Sequence, residues 1–307
     1  MDAEIRRYHP ALDALIPKDA AVETLAGGFN FTEGPIWFQA GYLLFSDIPE
    51  NTIYKWTPSG EITVFLKPSG CDAATWKAGA FIGSNGLTKD AGERLILCEH
   101  GNRRVTRLEP DGTKTVLASH YQGKRLNSPN DAVYKSDGAL YFTDPPYGLV
   151  EEDKDPAKEL SFNGVYRLKD GELTLLHQDL TRPNGLAFSP DEKILYVANS
   201  DRGRMIWMKF PVQEDGTLGA GAVFADVTHI RDYGAPDGMK VDTNGNLYCT
   251  GPGGTHVFDA AGNALGLIVT PEIPANLHWG EADARTLYIT ARNGLYRVRL
   301  TATGIRP

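Results

Sequence analysis

Apolar and polar residues alternate along this chain in short runs, each closed by Gly, Pro, Asp or Asn. The stretch RPNGLAFSPDEKILYVANS, residues 182–200, shows the unit most plainly. Its period of two predicts a strand over 185–189, a polar turn over 190–193 and a second strand over 194–199. Asn184 stands at the head of the unit, just before the glycine. Five other stretches have the same grammar: EGPIWFQAGYLLFSD from Glu33, NGLTKDAGERLILCE from Asn85, NDAVYKSDGALYFTD from Asn130, DGMKVDTNGNLYCTG from Asp237 and NLHWGEADARTLYIT from Asn276. Successive heads lie 39 to 54 residues apart. Periods of this size built from short strands predict an all-β, six-bladed β-propeller, with one four-stranded sheet per blade around a central channel.

The segments between the hairpins supply the outer strands, for example over 51–56 and 62–66 in the first blade and 164–168 and 173–177 in the third. Residues 1–20 fall outside the repeat and read as an N-terminal extension. Residues 21–307 read as the propeller, a single domain. Ring closure needs a strand from one terminus to complete the last blade, which would also remove exposed sheet edges; residues 22–25 and 295–300 are the candidates. The long irregular loop over 67–84 is expected to form part of a lid or pocket wall.

If each hairpin is the innermost of its blade, the heads Glu33, Asn85, Asn130, Asn184, Asp237 and Asn276 converge on one mouth of the channel. All are carboxylates or carboxamides and none is cationic. A single Asn or Asp before a Gly often only satisfies a turn through its own backbone. Six in one register, one of them the poor turn former Glu33, point instead to a cation. An oxygen-only set suits a hard divalent ion such as Ca²⁺. The seven histidines show no zinc-ligand spacing, and no HExxH or CxxC is present. Asn85 and Asn276 are read as supporting groups or substrate contacts.

Composition narrows the alternatives. The net charge is −8 and no basic run occurs, which argues against nucleic acid as a partner. Cys71, Cys98 and Cys249 are far apart in the chain and read as buried small hydrophobes in a reducing compartment. No stretch reaches the ~18 apolar residues of a membrane span, and the N-terminus lacks the apolar core of a secretory signal, so a cytoplasmic location is expected.

Four motifs in order, Glu33-Gly34-Pro35, Ser128-Pro129-Asn130-Asp131, Arg182-Pro183-Asn184-Gly185 and Ala235-Pro236-Asp237-Gly238, make the chain similar to the SMP-30/gluconolactonase/LRE-like family, and in particular to its bacterial gluconolactonase-type branch. The resemblance implies a metal site in the channel of a six-bladed propeller. By motif, Glu33, Asn184 and Asp237 stand at the family's ligand positions, and Asn130 at a fourth ligand or substrate-facing position. The implied cofactor is a divalent metal, with Ca²⁺ the leading candidate and Mn²⁺, Zn²⁺, Mg²⁺ or Fe²⁺ the alternatives. The implied reaction is hydrolysis of a sugar lactone, an aldono-1,4- or 1,5-lactone such as gluconolactone, with Asp237 as general base and Asp131 in reserve. Some relatives carry an Arg two residues before the third-head Asn, where this chain has Ser128; Arg125 or Arg103 is the candidate replacement guanidinium. His278 lies near where related phosphotriesterases of this fold carry a pocket histidine, so Asn85, Asn130, Arg125, Asn276 and His278 form the expected substrate contacts. The competing readings are a phosphotriesterase-like metal hydrolase and a non-enzymatic binding propeller with a structural ion.

Overall fold

The computed structural model describes residues 2–72 and 81–305. Of the lid or wall expected of 67–84, residues 73–80 lie outside the described residues.

Six antiparallel sheets ring a channel, each a chain of neighbouring strands running from the axis outward. Blade 1 contains Thr32–Phe38, Tyr42–Asp47, Thr52–Trp56 and Ile62–Leu66. Blade 2 contains Ser84–Lys89, Leu95–Glu99, Arg104–Leu108 and Lys114–Ala118. Blade 3 follows a two-stranded ribbon, His120–Tyr121 with Lys124–Arg125, and is built from Ala132–Tyr134, Leu140–Asp144, Gly164–Lys169 and Glu172–His177. Blade 4 contains Pro183–Phe188, Ile194–Asn199, Ile206–Pro211 and Ala222–Asp226. Blade 5 contains Met239–Val241, Leu247–Gly251, Gly254–Phe258 and Ala264–Val269, and Glu4–Arg7 adds a fifth strand at its rim. Blade 6 combines Pro274–Gly280, Thr286–Ala291 and Gly294–Arg299 with Val22–Gly27 from the other end of the chain. That pairing closes the ring. One turn of helix, Leu12–Leu15, buries both its leucines against blades 5 and 6.

Second strands such as Leu95–Glu99 and Leu247–Gly251 are buried along their whole length because a neighbouring blade covers each face. Every junction between adjacent blades has its own apolar cluster, for instance Ile36, Leu44 and Ile53 against Leu87 and Leu97, or Tyr196 and Trp207 against Met239 and Phe258. The core is therefore a ring of interfaces around an axis left to polar groups. Cys71, Cys98 and Cys249 are all buried.

Polar residues ending the second strands hold the chain entering the inner ones. Asp47 accepts the Asn30 and Phe31 amides, Asp144 those of Asn127 and Ser128, and the Asn199 side chain that of Arg182. These contacts fix the approach of each head.

Candidate functional site in the channel mouth

In blades 1, 2 and 4 the inner strand begins one residue before its head, at Thr32, Ser84 and Pro183, because it absorbs an irregularity. Register shifts lie between Glu33 and Ile36, Ser84 and Leu87, and Pro183 and Leu186. A bulge re-aims a side chain, and here it turns the head out of the sheet alternation. The glycine after the head is required by close approach as much as by the bulge. A Cβ on Gly34 would stand 2.3 Å from the Asn85 carbonyl oxygen, one on Gly86 2.5 Å from that of Asn130, and one on Gly185 2.3 Å from that of Asp237. Each head thus rests on the backbone of the next blade's head. In blade 3 the slot after the head holds Asp131 instead of glycine, and its carboxylate enters the channel.

Three carboxylates therefore gather from blades 1, 3 and 5. Glu33 Oε2 accepts the Gly34 amide at 2.6 Å and Asn276 Nδ2 at 3.1 Å. Asp131 Oδ1 accepts the Ala132 amide at 2.8 Å, and its Oδ2 lies 3.3 Å from the same Asn276 Nδ2. Glu33 and Asp131 are buried and Asp237 is partly exposed. Burial, and then the charge of Asp131, push Glu33 up to about 7. Asp237 is raised well above the carboxylate range by burial and by the charges of Glu33 and Asp131. Asp131 is raised as well, chiefly by burial. The Lys240 ammonium opposes the rise at Glu33 and Asp131, yet among the described residues no ion pair within 4.0 Å reaches any of the three.

The carboxamides are sorted by their partners. Asn276 turns nitrogen toward the carboxylates, and its Oδ1 accepts the Leu277 amide. Asn184 Nδ2 donates to Ser200 Oγ at 2.8 Å. Asn85 Nδ2 meets His100 Nε2 at 3.2 Å, while its buried Oδ1 has no partner among the described residues. Burial lowers His100 to about 4; the neutral ring, with Nδ1 on the Phe81 carbonyl, offers Nε2 as acceptor. Asn130 is buried, its carbonyl accepting the Gly86 amide at 2.7 Å and its amide donating to Thr143.

Two expected substrate contacts are not brought to this cluster. His278 lies two residues beyond Asn276, toward the opposite mouth, where it helps line a cavity of about 520 Å³ with Lys89, Val133, Phe188 and Lys240. Its Nδ1 contacts the Trp279 carbonyl. Arg125 sits on the ribbon before blade 3, its guanidinium on the Asn102 carbonyl and its backbone amide on Glu159. Among the described residues no hydrogen bond joins it to a head. Arg103 is buried and bonded to the carbonyls of Leu126 and Ala157.

Sequence reasoning did not single out His100, Tyr147 or Ser200. The Tyr147 hydroxyl bonds Ser200 and lies near Asp237; burial, with that carboxylate's charge, raises it above the usual phenol range. The DPPYG run and the terminal Ser of the 182–200 unit were visible signals, but nothing in local spacing places them beside a head from another blade.

Among the described residues no three His, Cys, Asp or Glu side chains close on one point as a metal cluster of those types would. The set read from the sequence has only two such groups, Glu33 and Asp237, and takes its other oxygens from amides. The orphaned Asn85 Oδ1 and the uncompensated carboxylates fit a hard cation.

The fold and this mouth define a six-bladed propeller with an oxygen-rich polar cluster on its axis. Residues 31–293 match the SMP-30/gluconolactonase/LRE-like region, and the chain belongs to that family. It is 40% identical to a gluconolactonase of Zymomonas mobilis, over 98% of this chain and 87% of that protein. A gluconolactonase structure from Xanthomonas campestris superposes with a TM-score of 0.84 at 38% identity, covering 97% of this chain and 95% of that one. The calcium-binding protein regucalcin of Agrobacterium tumefaciens shares the fold, with a TM-score of 0.73 at 21% identity over 92% and 94% of the two chains. Among the described residues no helix is long and apolar enough to cross a membrane.

Proposed function

We propose that this chain is a divalent-metal-dependent lactonase that opens a sugar lactone, an aldono-1,4- or 1,5-lactone such as gluconolactone, to the aldonic acid. The observation that carries the reading is the gathering of Glu33, Asp131 and Asp237 from three blades, with no ion-paired partner among the described residues. Burying like charges this way is costly unless a cation or protons compensate them. The resemblance to gluconolactonases over nearly the whole chain supports the substrate class.

Glu33, Asn130, Asn184 and Asp237 would hold the ion, with Ca²⁺ the leading candidate for an all-oxygen set. When bound, such an ion polarises the lactone carbonyl and lowers the energy of charge on its oxygen. The chain's own groups do the rest. Asp237 accepts the proton of the attacking water as its oxygen bonds the carbonyl carbon; the ring C–O bond then breaks, and the proton passes to the departing alkoxide. Asp237 suits this better than Asp131, whose two oxygens already face Ala132 and Asn276. Asn85 Oδ1 is a ready acceptor for a sugar hydroxyl.

The test is pH-stat hydrolysis of a lactone panel, with an organophosphate alongside, by metal-stripped protein and after adding back each divalent ion. Asp237→Asn and Asn184→Ala are run in parallel. Restored lactone turnover with one ion, and its loss in both variants, is expected. Full activity in both variants excludes the site, and turnover of the organophosphate alone excludes the substrate class.

A further inference from the structure

Ser200 closes the 182–200 unit, one residue past the strand Ile194–Asn199. Its hydroxyl is held on two sides. It donates to the Pro236 carbonyl, which can only accept, and its oxygen receives Asn184 Nδ2 at 2.8 Å. A hydroxyl has one proton. With that proton on Pro236, Ser200 can only accept from Asn184, so the amide nitrogen faces Ser200 and Asn184 Oδ1 is turned away from it. The Ser200 amide bonds the Arg182 carbonyl of its own blade, and the Tyr147 hydroxyl bonds Ser200 from blade 3. Pro236 immediately precedes Asp237, so one hydroxyl fixes an amide on blade 4 and the chain carrying a carboxylate on blade 5. The Asn184 nitrogen also reaches the Asp237 carboxylate, which can only accept, so the NH2 group serves Ser200 and Asp237 and the oxygen is the end turned from both. In Asn276 the oxygen is instead occupied by the Leu277 amide.

We infer that Ser200 is a positioning residue: it orients the Asn184 carboxamide so that oxygen, not nitrogen, is offered to a divalent cation, and locks that orientation to the backbone before Asp237. The inference rests on the cation reading given above. Groups that orient ligands in this way typically affect metal affinity by ~10- to 100-fold.

Metal-stripped wild type, Ser200→Ala, Ser200→Thr, Asn184→Ala and the Ser200→Ala/Asn184→Ala double variant are titrated with Ca²⁺ by calorimetry, and the melting temperature of each metal-free form is recorded. Ser200→Ala is expected to bind Ca²⁺ ~10- to 100-fold more weakly, with a metal-free form that still unfolds cooperatively at a modestly lower temperature because Pro236 and Asn184 lose a hydrogen-bond partner. Ser200→Thr, which keeps the hydroxyl, should stay within a few-fold of wild type. In the Asn184→Ala background, where only the Pro236 contact is left to lose, removing the hydroxyl should cost clearly less affinity than in wild type. Wild-type affinity in Ser200→Ala overturns the positioning role while leaving the cation reading intact, as does an equal loss in both backgrounds. A wild type that binds no Ca²⁺ overturns both.

Discussion

Asn276 Nδ2 lies 3.3 Å from Asp131 Oδ2, so blade 6 touches blade 3 through the middle of the channel. The same nitrogen donates to Glu33 at 3.1 Å, and one amide thus supplies hydrogen bonds to two buried carboxylates. Replacing it with Leu, of similar volume, leaves both acceptors without that donor. Hydrogen bonds to charged groups contribute about 1.5–3 kcal/mol, so metal-free Asn276→Leu should lose stability of that order at pH 8. Protonation of Glu33, already raised to about 7, should shrink the deficit at pH 5. Urea unfolding at the two pH values measures both; an equal loss at each would show that Glu33 is not the charge being served.

Asp144 gives a pH dependence away from the cluster. Burial pushes it up to about 7 even though it accepts the amides of Asn127 and Ser128. A carboxyl whose folded pKa exceeds its unfolded value keeps its proton in the native state, so stability falls as pH rises between the two, here from about 4 to about 7. Asp144→Asn removes that titration. The variant should therefore show a shallower decline of unfolding free energy across this window, with the slope reduced by at most about 1.4 kcal/mol per pH unit. Urea unfolding at half-unit steps reads the slope, and parallel curves for variant and wild type would exclude Asp144 as a contributor.

Much of this molecule was legible in the chain. The period-two hairpins and their 39- to 54-residue spacing anticipate six blades, and the register of Glu33, Asp237 and the asparagines anticipates which side chains share a mouth. The sense of each amide was not legible, since that depends on partners such as Ser200, His100 and Leu277 beside it in space. His278 shows the limit of reasoning from position along a strand. Two residues beyond a head, a side chain has travelled roughly 7 Å along the strand, and it lines the cavity at the other end.

The interlocked heads make the post-head glycines costly to change. Gly34 has φ +50°, and a Cβ there would stand 2.3 Å from the Asn85 carbonyl oxygen. Gly112 has φ +85° with nothing within 4 Å, so it isolates the backbone term. Gly112→Ala should cost about 1–2 kcal/mol. Gly34→Ala should cost that plus about 1–3 kcal/mol for displacing a neighbouring blade. Chemical unfolding compares the pair; equal losses would mean that blade 2 moves aside without resistance.

The last prediction separates the two candidate bases. Asp131 is bracketed by Ala132 and Asn276, whereas Asp237 is partly exposed and backed by Asn184. If Asp237 takes the proton, Asp237→Asn removes general-base catalysis and should lower kcat by ~10²-fold or more. Asp131→Asn would place an amide nitrogen against Asn276 Nδ2, two donors facing one another, and disturb the support of Glu33. Its defect should appear chiefly as lost stability, with kcat reduced by about 10-fold or less if the proton-accepting carboxylate is intact. Steady-state kinetics on gluconolactone beside melting curves distinguishes the two. A larger kcat loss in Asp131→Asn at unchanged melting temperature would transfer the role of base from blade 5 to blade 3.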